Sequence, residues 1–438
     1  MRLVEVFGVS KDPVQSYIER ALVDTRMERA LASTRQIVVY GSSKQGKTSL
    51  VGRHLAGFRR VTVYCAPSMS LEDLYRSLLR QMGIEVHIER IEVETSDGEL
   101  AVSVSAQARV PLLAQAEMQG ELRRGSGRSA SDTYRVIEFN LGLAQDVAEL
   151  MKSAPDLTPD FLVLENFHYL EPSAQAQFAF DLRTFEELGT RFIILGVWRE
   201  ANRLLQFNGD LQDRLDEVPV EPWTEEDFGR VLTAGEEHLN IRFSTEIKAR
   251  VIEEAHGSIA IVQELAKLVC HQGGIESTVH EDGPRPVTDA TLVQAAVAEK
   301  VEDYTSRYVR SLESIAAGSR TRRTTENTVA LYLPYYMVSV LLSRPYTELQ
   351  EGIERKRLQE LMQELHPAKD HIRTSDVTSM LTRLAQQQAS ANIVPPLLGY
   401  DQGTRRLKVV DSTLYFFLDN CDLEEVRSGI AHPDPEHA

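Results

Sequence analysis

The sequence predicts an α/β fold, and three observations support this prediction. An apolar strand at residues 36–40 precedes the segment 41–48, and apolar residues at helical spacing follow it. A second apolar run, residues 161–164, ends at the acid Glu165 and has the composition of a buried parallel strand. A third apolar run occupies residues 191–197. We therefore expect buried strands that alternate with helices.

The segment 41–48 reads G-x-x-x-x-G-K-T, which is the phosphate-binding loop motif. Its glycines allow backbone angles that a side chain would block, so successive amides turn inward around phosphate oxygens. Lys47 can reach the β- and γ-phosphates, and the Thr48 hydroxyl can ligate magnesium together with Glu165. The residues expected to bind the nucleotide are Gly41, Ser42, Ser43, Lys44, Gln45, Gly46, Lys47, Thr48 and Ser49.

Composition limits the class of protein. A chain of 438 residues is too long for one core, which indicates two or three domains. The net charge of -17 argues against a surface that coats nucleic acid but allows a local basic patch. Three widely separated cysteines form no metal-ligand pattern and fit a reducing cytosol. We expect no targeting segment and no membrane span, because the most apolar stretch, residues 329–342, is too short.

The domain boundaries follow changes in pattern along the chain. Residues 1–222 are expected to form the α/β core and residues 223–275 a helical lid. Residues 276–327 read as a linker with a long polar helix. A winged helix-turn-helix is expected at 328–420, and a tail at 421–438.

An insertion interrupts the core at about residues 85–122. Apolar and polar residues alternate over 102–110, which indicates a strand. Two shorter strands before it and a turn at Asp97-Gly98 complete an antiparallel β-meander. A basic loop is expected at 121–130, and a helix at 131–153. The meander is either a decoration or a docking surface for another subunit or partner.

The region 328–420 shows three helical patterns followed by two strands, at 393–398 and 407–410. The third helix, with Ser375 as its cap, is expected to turn polar side chains outward, namely Ser379, Thr382, Arg383 and Gln386. The predicted wing carries Arg405, Arg406 and Lys408. Such a helix and wing can contact a DNA groove and its phosphates. Because acids balance bases here, contact with protein or within the chain is the alternative.

These motifs together resemble the AAA+/STAND branch of P-loop ATPases, with a layout similar to that of origin-recognition ATPases. The resemblance rests on residues 41–48, 161–166, 191–197 and 211–217, and it spans most of residues 1–275. It implies a sheet of five parallel strands with helices on both faces. It also implies ATP and Mg²⁺ as ligands and a cytoplasmic location.

The resemblance implies catalytic residues as well. Glu165 and Asn166 occupy the acidic motif at the end of the third strand. Arg214 and Arg199 are candidates for an arginine finger offered to a neighbouring subunit. For each arginine, a surface ion pair is the alternative interpretation.

The segment before the first strand is a candidate cover for the adenine. In many P-loop proteins this segment packs over the base, and Gly8, Val9 and Tyr17 occupy it here. Ordinary packing of the N-terminal segment is the alternative.

Three departures from the family pattern lower the expected hydrolysis rate. Asn166 stands where a general base is usual, and an amide cannot accept a proton as a base at neutral pH. Val197 stands where a polar sensor is usual, and residues 259–268 of the third lid helix contain no arginine. We therefore expect tight ATP binding and weak ATPase activity, to which Glu165 or His168 contributes in part.

The resemblance implies a nucleotide-dependent regulatory switch in a multi-component prokaryotic system, with defence or mobile-element control as settings. One alternative is an origin-type DNA-binding ATPase that uses the winged helix. The other is a nucleotide-gated scaffold that recruits an effector protein. The expected partners are accordingly ATP or ADP, further copies of the chain or a protein effector, and DNA.

Overall fold

A computed structural model describes residues 1–9, 14–94, 100–111, 134–318 and 330–433. The strands are β1 (Gln36–Gly41), β2 (Arg60–Tyr64), β3 (Glu85–Glu94), β4 (Leu100–Pro111), β5 (Tyr134–Phe139), β6 (Phe161–Glu165), β7 (Phe192–Val197), β8 (Leu215–Pro219), β9 (Ile241–Phe243), β10 (Arg285–Val287), β11 (Ile353–Glu354), β12 (Leu398–Asp401) and β13 (Arg406–Val409).

The helices are α1 (Leu3–Val6), α2 (Ala21–Ala32), α3 (Lys47–His54), α4 (Leu71–Gln81), α5 (Ala144–Lys152), α6 (Pro172–Glu187), α7 (Glu225–Leu239), α8 (Thr245–Glu254), α9 (Ile259–Gln272), α10 (Thr291–Ala317), α11 (Leu333–Leu341), α12 (Tyr346–Glu351), α13 (Arg355–Leu365), α14 (Thr374–Ser390), α15 (Ser412–Asn420) and α16 (Leu423–Gly429). No helix in these ranges combines the length and the apolar character that a membrane crossing requires.

A five-stranded parallel sheet forms the centre of the N-terminal half, in the order β2-β6-β7-β1-β8. Its two faces pack into separate apolar clusters. Val38 and Leu164 lie in one cluster, whereas their neighbours Ile37 and Val163 lie in the other. Because successive side chains point to opposite faces, a strand buried on both sides must be apolar throughout. The predicted α/β fold with five parallel strands is confirmed.

The register of the sheet brings the site residues together at the carboxyl ends of the strands. Gly41 at the end of β1 pairs with Val197 at the end of β7, and Glu165 ends β6 beside them. In parallel sheets, ligands bind beyond the carboxyl ends of the strands. Pro219 ends β8, which lies at the edge of the sheet, where a proline is tolerated.

The β-meander is built from β3, β4 and β5, with both pairings antiparallel. One part of the sequence prediction was wrong here, because the start of the helix expected at 131–153 is the strand β5. Ile137 and Phe139 pack toward the core, whereas Val136 and Glu138 are exposed, so the period is two and not 3.6. β3 is also one strand where two were predicted. The predicted turn at Asp97-Gly98 and the basic loop lie outside the described residues.

The segment expected to form a helical lid contains the helices α7, α8 and α9, and its role as a lid stays a prediction. Thr224 and Asp227 form a capping box at the start of α7, and Ser244 caps α8. The predicted linker after α9 was wrong in one respect, because β10 returns to pair with β9 beside the lid. Phe7 from the N-terminal segment also packs into the lid core, where its ring lies against Gly235 of α7.

This contact gives a stability prediction. A Cβ atom at Gly235 would lie 1.9 Å from the Phe7 ring, so Gly235→Ala forces the ring to move. We expect the free energy of unfolding to fall by about 1–3 kcal/mol. Gly229→Ala on the same helix meets no heavy atom within 4 Å and is the matched control. It should raise that free energy by about 0.5–1 kcal/mol, because alanine favours helix. Urea unfolding measures both, and equal shifts would contradict the prediction.

The helix α10 was predicted as polar, but one of its faces is a core surface. Tyr304, Tyr308, Leu312 and Ile315 are buried on that face. They contact the lid on one side and the C-terminal module, which we define as residues 330–433, on the other. One continuous apolar cluster therefore joins the N-terminal segment, the lid, α10 and the C-terminal module.

The C-terminal module contains α11, α13 and α14 followed by the antiparallel pair β12 and β13, which pairs in turn with β11. The order of elements is the one that the winged-helix prediction requires, and that assignment stays a prediction. The strand predicted at 393–398 was wrong, because β12 begins only where it was expected to end. Pro395 and Pro396 lack the N–H that a strand needs. Arg373 rather than Ser375 is the N-cap of α14.

Two helices at the C-terminal end were not predicted. α15 lies at the end of the expected winged helix, and Leu414, Tyr415, Phe416, Phe417 and Leu418 are all buried. α16 lies within the expected tail 421–438, and Val426 packs into the same core. The chain is therefore folded well into the segment that the sequence suggested was a tail.

Candidate nucleotide-binding site

The phosphate loop connects the end of β1 to the start of α3. Gly46 caps α3 with φ of 84°, a left-handed conformation that favours glycine. Lys44 has φ of 60° within the same loop. The helix therefore begins directly after a tight turn, and its first amides point toward the end of the sheet.

Lys47 is buried and lies against its own loop. Its Nζ donates to the carbonyl oxygens of Gly41 at 3.0 Å and of Ser42 at 2.6 Å. Burial lowers the pKa of Lys47 to about 8, against the opposing effect of the Glu221 and Glu165 carboxylates. A buried ammonium group whose hydrogen bonds go to two carbonyl oxygens is a favourable place for a phosphate anion.

Thr48 and Glu165 meet at the expected metal position. The Thr48 hydroxyl donates to Glu165 Oε2 at 3.3 Å. Burial raises the pKa of Glu165, and the Thr48 hydrogen bond and the Lys47 charge lower it in part. These oxygen ligands fit Mg²⁺, which usually takes one or two protein ligands together with phosphates and water. Within the described ranges, no group of three His, Cys, Asp or Glu side chains forms a metal site of another kind.

A cavity of about 290 Å³ extends from this loop to the lid and the N-terminal segment. Gly8, Val9 and Tyr17, the residues expected to cover the base, line it. The amide of Gly8 donates to Gln263 Oε1 at 3.2 Å, which ties the N-terminal segment to α9.

The sequence did not single out the residues that form the far end of this cavity. The Arg20 guanidinium lies 3.7 Å from the centre of the Trp223 ring, and Trp223 stacks on Phe228. Gln263 lines the same end and bonds to the Ser16 hydroxyl. These residues come from three distant segments, and no motif or spacing links them. A planar cation on a tryptophan face was the kind of feature that only the fold could reveal.

Asn166 follows Glu165 in a left-handed conformation, with φ of 59°. Asparagine adopts this conformation more readily than most residues. The reversal starts the short 3-10 turn Phe167–Tyr169 and returns His168 to the end of β7. Asn166 and His168 both line the nucleotide cavity. The asparagine that looked like a lost base therefore has a backbone role in this loop.

The two candidate arginines are held away from this cavity. Arg214 directly precedes β8, so it lies at the amino-terminal ends of the strands and not at their carboxyl ends. Its Nη1 lies 2.6 Å from Glu186 Oε2. Arg199 donates to the Gln350 carbonyl oxygen at 3.3 Å and to the Tyr415 hydroxyl at 3.1 Å. Neither lies among the residues that line the cavity. A finger role toward another subunit stays a prediction for both.

The C-terminal module contacts the phosphate loop directly. The amide of Ser43 donates to the Val410 carbonyl oxygen at 3.2 Å. The Ser412 hydroxyl donates to the Ser43 carbonyl oxygen at 3.2 Å and lies 3.0 Å from the Ser258 hydroxyl of the lid. The Nζ of Lys44 lies 5.6 Å from the centre of the Tyr304 ring on α10.

Two amides of the predicted phosphate-binding set have acceptors within the protein. The amide of Ser42 donates to the Glu221 carboxylate, and the amide of Ser43 donates to the Val410 carbonyl oxygen. The loop residues 43–49 all line the cavity. Phosphate binding by the predicted set, residues 41–49, stays a prediction.

The chain has the P-loop fold. No family model matches the sequence, and no curated protein matches it. Among solved structures, a Walker-type ATPase of Pyrococcus abyssi is similar, with a TM-score of 0.47 and 13% identity over 92% of this chain and 96% of that one. The Orc1 protein of Aeropyrum pernix, solved in complex with DNA, has a TM-score of 0.40 and 14% identity over 94% of this chain and 92% of that one. The RuvB branch migration motor of Thermotoga maritima has a TM-score of 0.40 and 10% identity over 96% of this chain and 100% of that one. At these values the fold assignment rests on this chain's own sheet order and loop.

Proposed function

We propose that this protein is an ATP-binding, slowly hydrolysing regulatory switch. The observation that carries the proposal is the contact between the phosphate loop and the C-terminal module. Ser43 bonds to Val410 and Ser412 through its amide and its carbonyl oxygen. A ligand that reshapes this loop therefore changes the surface on which the module rests.

The proposed ligand is ATP with Mg²⁺. Lys47 would hold the β- and γ-phosphates, and Thr48 and Glu165 would hold the metal. The metal, when bound, would neutralise charge between the two phosphates. The cavity toward Trp223 and Tyr17 would take the base and the sugar.

Slow hydrolysis follows from the groups around the phosphate position. Glu165 is the carboxylate of this cavity and is already assigned to the metal. Asn166 cannot take a proton from water, and Arg199 and Arg214 have partners elsewhere. A site that binds tightly and turns over slowly suits a switch better than a motor. The setting that the sequence resemblance suggests is a multi-component prokaryotic system for defence or mobile-element control.

The DNA-binding alternative depends on the surface of the C-terminal module. Arg383 is exposed on α14 but bonds to Ser379 of the same helix. Arg406 donates to the Gly352 carbonyl oxygen at 2.7 Å, and Lys408 pairs with Asp401 at 2.9 Å. These basic side chains already have partners within the module. DNA contact would therefore require them to exchange those partners for phosphates.

Light scattering on the purified full chain tests the proposal and separates the alternatives. We expect ATP with Mg²⁺, but not ADP, to change the mass or the hydrodynamic radius, because only ATP places a γ-phosphate at Lys47. A switch or a scaffold predicts this change without DNA. Binding of a DNA duplex that weakens steeply with salt, and less so in Arg383→Ala, would favour the origin-type function. Identical results with ATP, ADP and no nucleotide would contradict the switch.

A further inference from the structure

The nucleotide cavity contains a buried hydrogen-bond donor with a fixed direction. The Nδ1 atom of His168 accepts the Val197 amide at 3.3 Å. The Nε2 atom is buried and has no hydrogen-bond partner within the described residues. Because Nδ1 acts as the acceptor, the proton of the neutral ring lies on Nε2. Burial, reinforced by the charges of Lys47 and Arg203, lowers the pKa of His168 to about 3, so the ring is neutral at physiological pH.

A buried donor without a partner is costly, and the ring that carries this one lines the cavity in which an anion is expected. His168 lines the same cavity as Lys47, Thr48 and Glu165. An unpaired buried N–H typically costs as much as a lost hydrogen bond, which a ligand acceptor would recover. Glu165 is a carboxylate and would repel phosphate oxygens. The donor on His168 is therefore suited to an oxygen of the terminal phosphate.

We propose that His168 donates from Nε2 to the γ-phosphate and so distinguishes a nucleoside triphosphate from a diphosphate. The inference rests on the proposed function, because it assumes that the loop binds a nucleotide. Val197 takes part through its backbone amide, which selects the tautomer and the orientation of the ring. The apolar side chain at the end of β7 is compatible with this role, because only its N–H is needed.

The same ring stands between the nucleotide and the C-terminal module. A second cavity of about 90 Å³ lies between the core and α14, and His168, Tyr169 and Val197 line both cavities. On its far side are Ala385 and Gln386 of α14. The side chain that is proposed to contact the γ-phosphate therefore also lines the cavity between the core and α14.

Calorimetry with full-length variants tests this inference, with Mg²⁺ present and ATPγS and ADP as the two probes. In wild type we expect tighter binding of ATPγS than of ADP. His168→Phe keeps the ring volume but loses the donor, and it should reduce the ratio of the two affinities by about 10-fold. His168→Gln can accept from the Val197 amide and donate from its own amide group, so it should keep the ratio within about 3-fold of wild type.

The matched control is His366→Phe. His366 is also buried, and its Nδ1 also accepts a backbone amide, from Ala368 at 2.8 Å, but it lies in the C-terminal module. This variant should leave the ratio unchanged, whatever it does to stability. His168→Leu, which also lacks the donor, replaces His168→Phe if thermal unfolding shows that the latter is not folded.

The outcomes are distinguishable. If wild type binds neither probe, both the proposed function and this inference are wrong. If wild type binds both and His168→Phe weakens them equally, or leaves both unchanged, His168 does not contact the γ-phosphate and only this inference is wrong. A selective loss for ATPγS with recovery in His168→Gln supports it, because a purely structural histidine would affect both probes alike.

Discussion

Lys47→Ala should weaken the binding of ATP with Mg²⁺ by about 10- to 100-fold, since hydrogen bonds to charged groups are worth about 1.5–3 kcal/mol. The side chain is buried beside the loop, where its Nζ holds two carbonyl oxygens. A phosphate would replace these dipoles with full negative charge. Calorimetry at pH 7 measures the loss directly.

Lys44→Asn is the matched control from the same loop. Lys44 has a left-handed backbone that asparagine tolerates, and its Nζ lies 5.6 Å from the centre of the Tyr304 ring on α10. It should bind ATP within a few-fold of wild type. Equal losses in the two variants would contradict the assignment of Lys47 as the phosphate-binding lysine.

Proton uptake provides a second readout of the same residue. The pKa of Lys47 is lowered from 10.5 to about 8, so in wild type the group is charged below pH 8 and increasingly neutral above it. Phosphate charge raises this pKa, because an opposite charge favours the ammonium form. Binding should therefore take up protons between about pH 8 and pH 10 and little below pH 7. The dependence of the binding enthalpy on buffer ionisation measures the uptake, and Lys47→Ala should abolish it.

Asn166→Asp should raise the ATP hydrolysis rate by about 100-fold, at the lower end of what a positioned general base contributes. Aspartate, like asparagine, tolerates the left-handed conformation that position 166 requires, with φ of 59°. The substitution therefore adds a carboxylate at the cavity wall without disturbing the 3-10 turn that carries His168. Phosphate release under saturating ATP measures the rate.

Asn166→Ala separates the chemical effect from the backbone effect. Alanine supplies no base and is strained at this φ, so we expect hydrolysis no faster than wild type and a loss of stability of about 1 kcal/mol. Asn166→Gly relieves the strain and should recover much of that stability. An Asn166→Asp rate equal to that of wild type would show that something other than the missing base limits hydrolysis.

The part of the fold that the sequence predicted well is the part with local signals. The phosphate loop and the buried strand that ends at Glu165 depend on neighbouring residues, and they appear where expected. The strand β5 was mistaken for helix because Val136 and Phe139 also fit helical spacing over a short window. Only its pairing with β4 decides the period.

The candidate site was predictable on its phosphate side and in the N-terminal residues Gly8, Val9 and Tyr17, but not in Arg20, Trp223 and Gln263. Lys47, Thr48 and Glu165 follow from motifs, and their contact in space follows from the order of a parallel sheet. Ser43 illustrates the limit, because the loop motif gives no sign that its amide is bonded to Val410, more than 350 residues away. Asn166 shows a second limit. Its residue type suggests that a general base has been lost, whereas its positive φ shows that it has a role in the backbone conformation of the loop.

A hydrogen bond between Arg20 and Val220 links the two chain segments that connect the α/β core to the lid core. The chain begins in the lid core, enters the sheet core between Ile18 and Val23, and leaves it between Val220 and Phe228. The α/β core is thus topologically an insert, tethered to the rest by two chain crossings. Arg20 Nη1 donates to the Val220 carbonyl oxygen at 2.7 Å, so a hydrogen bond joins the two connecting segments. A rotation of the α/β core relative to the lid would bend the chain at these two connections, and the Arg20 side chain between them also lines the candidate nucleotide cavity.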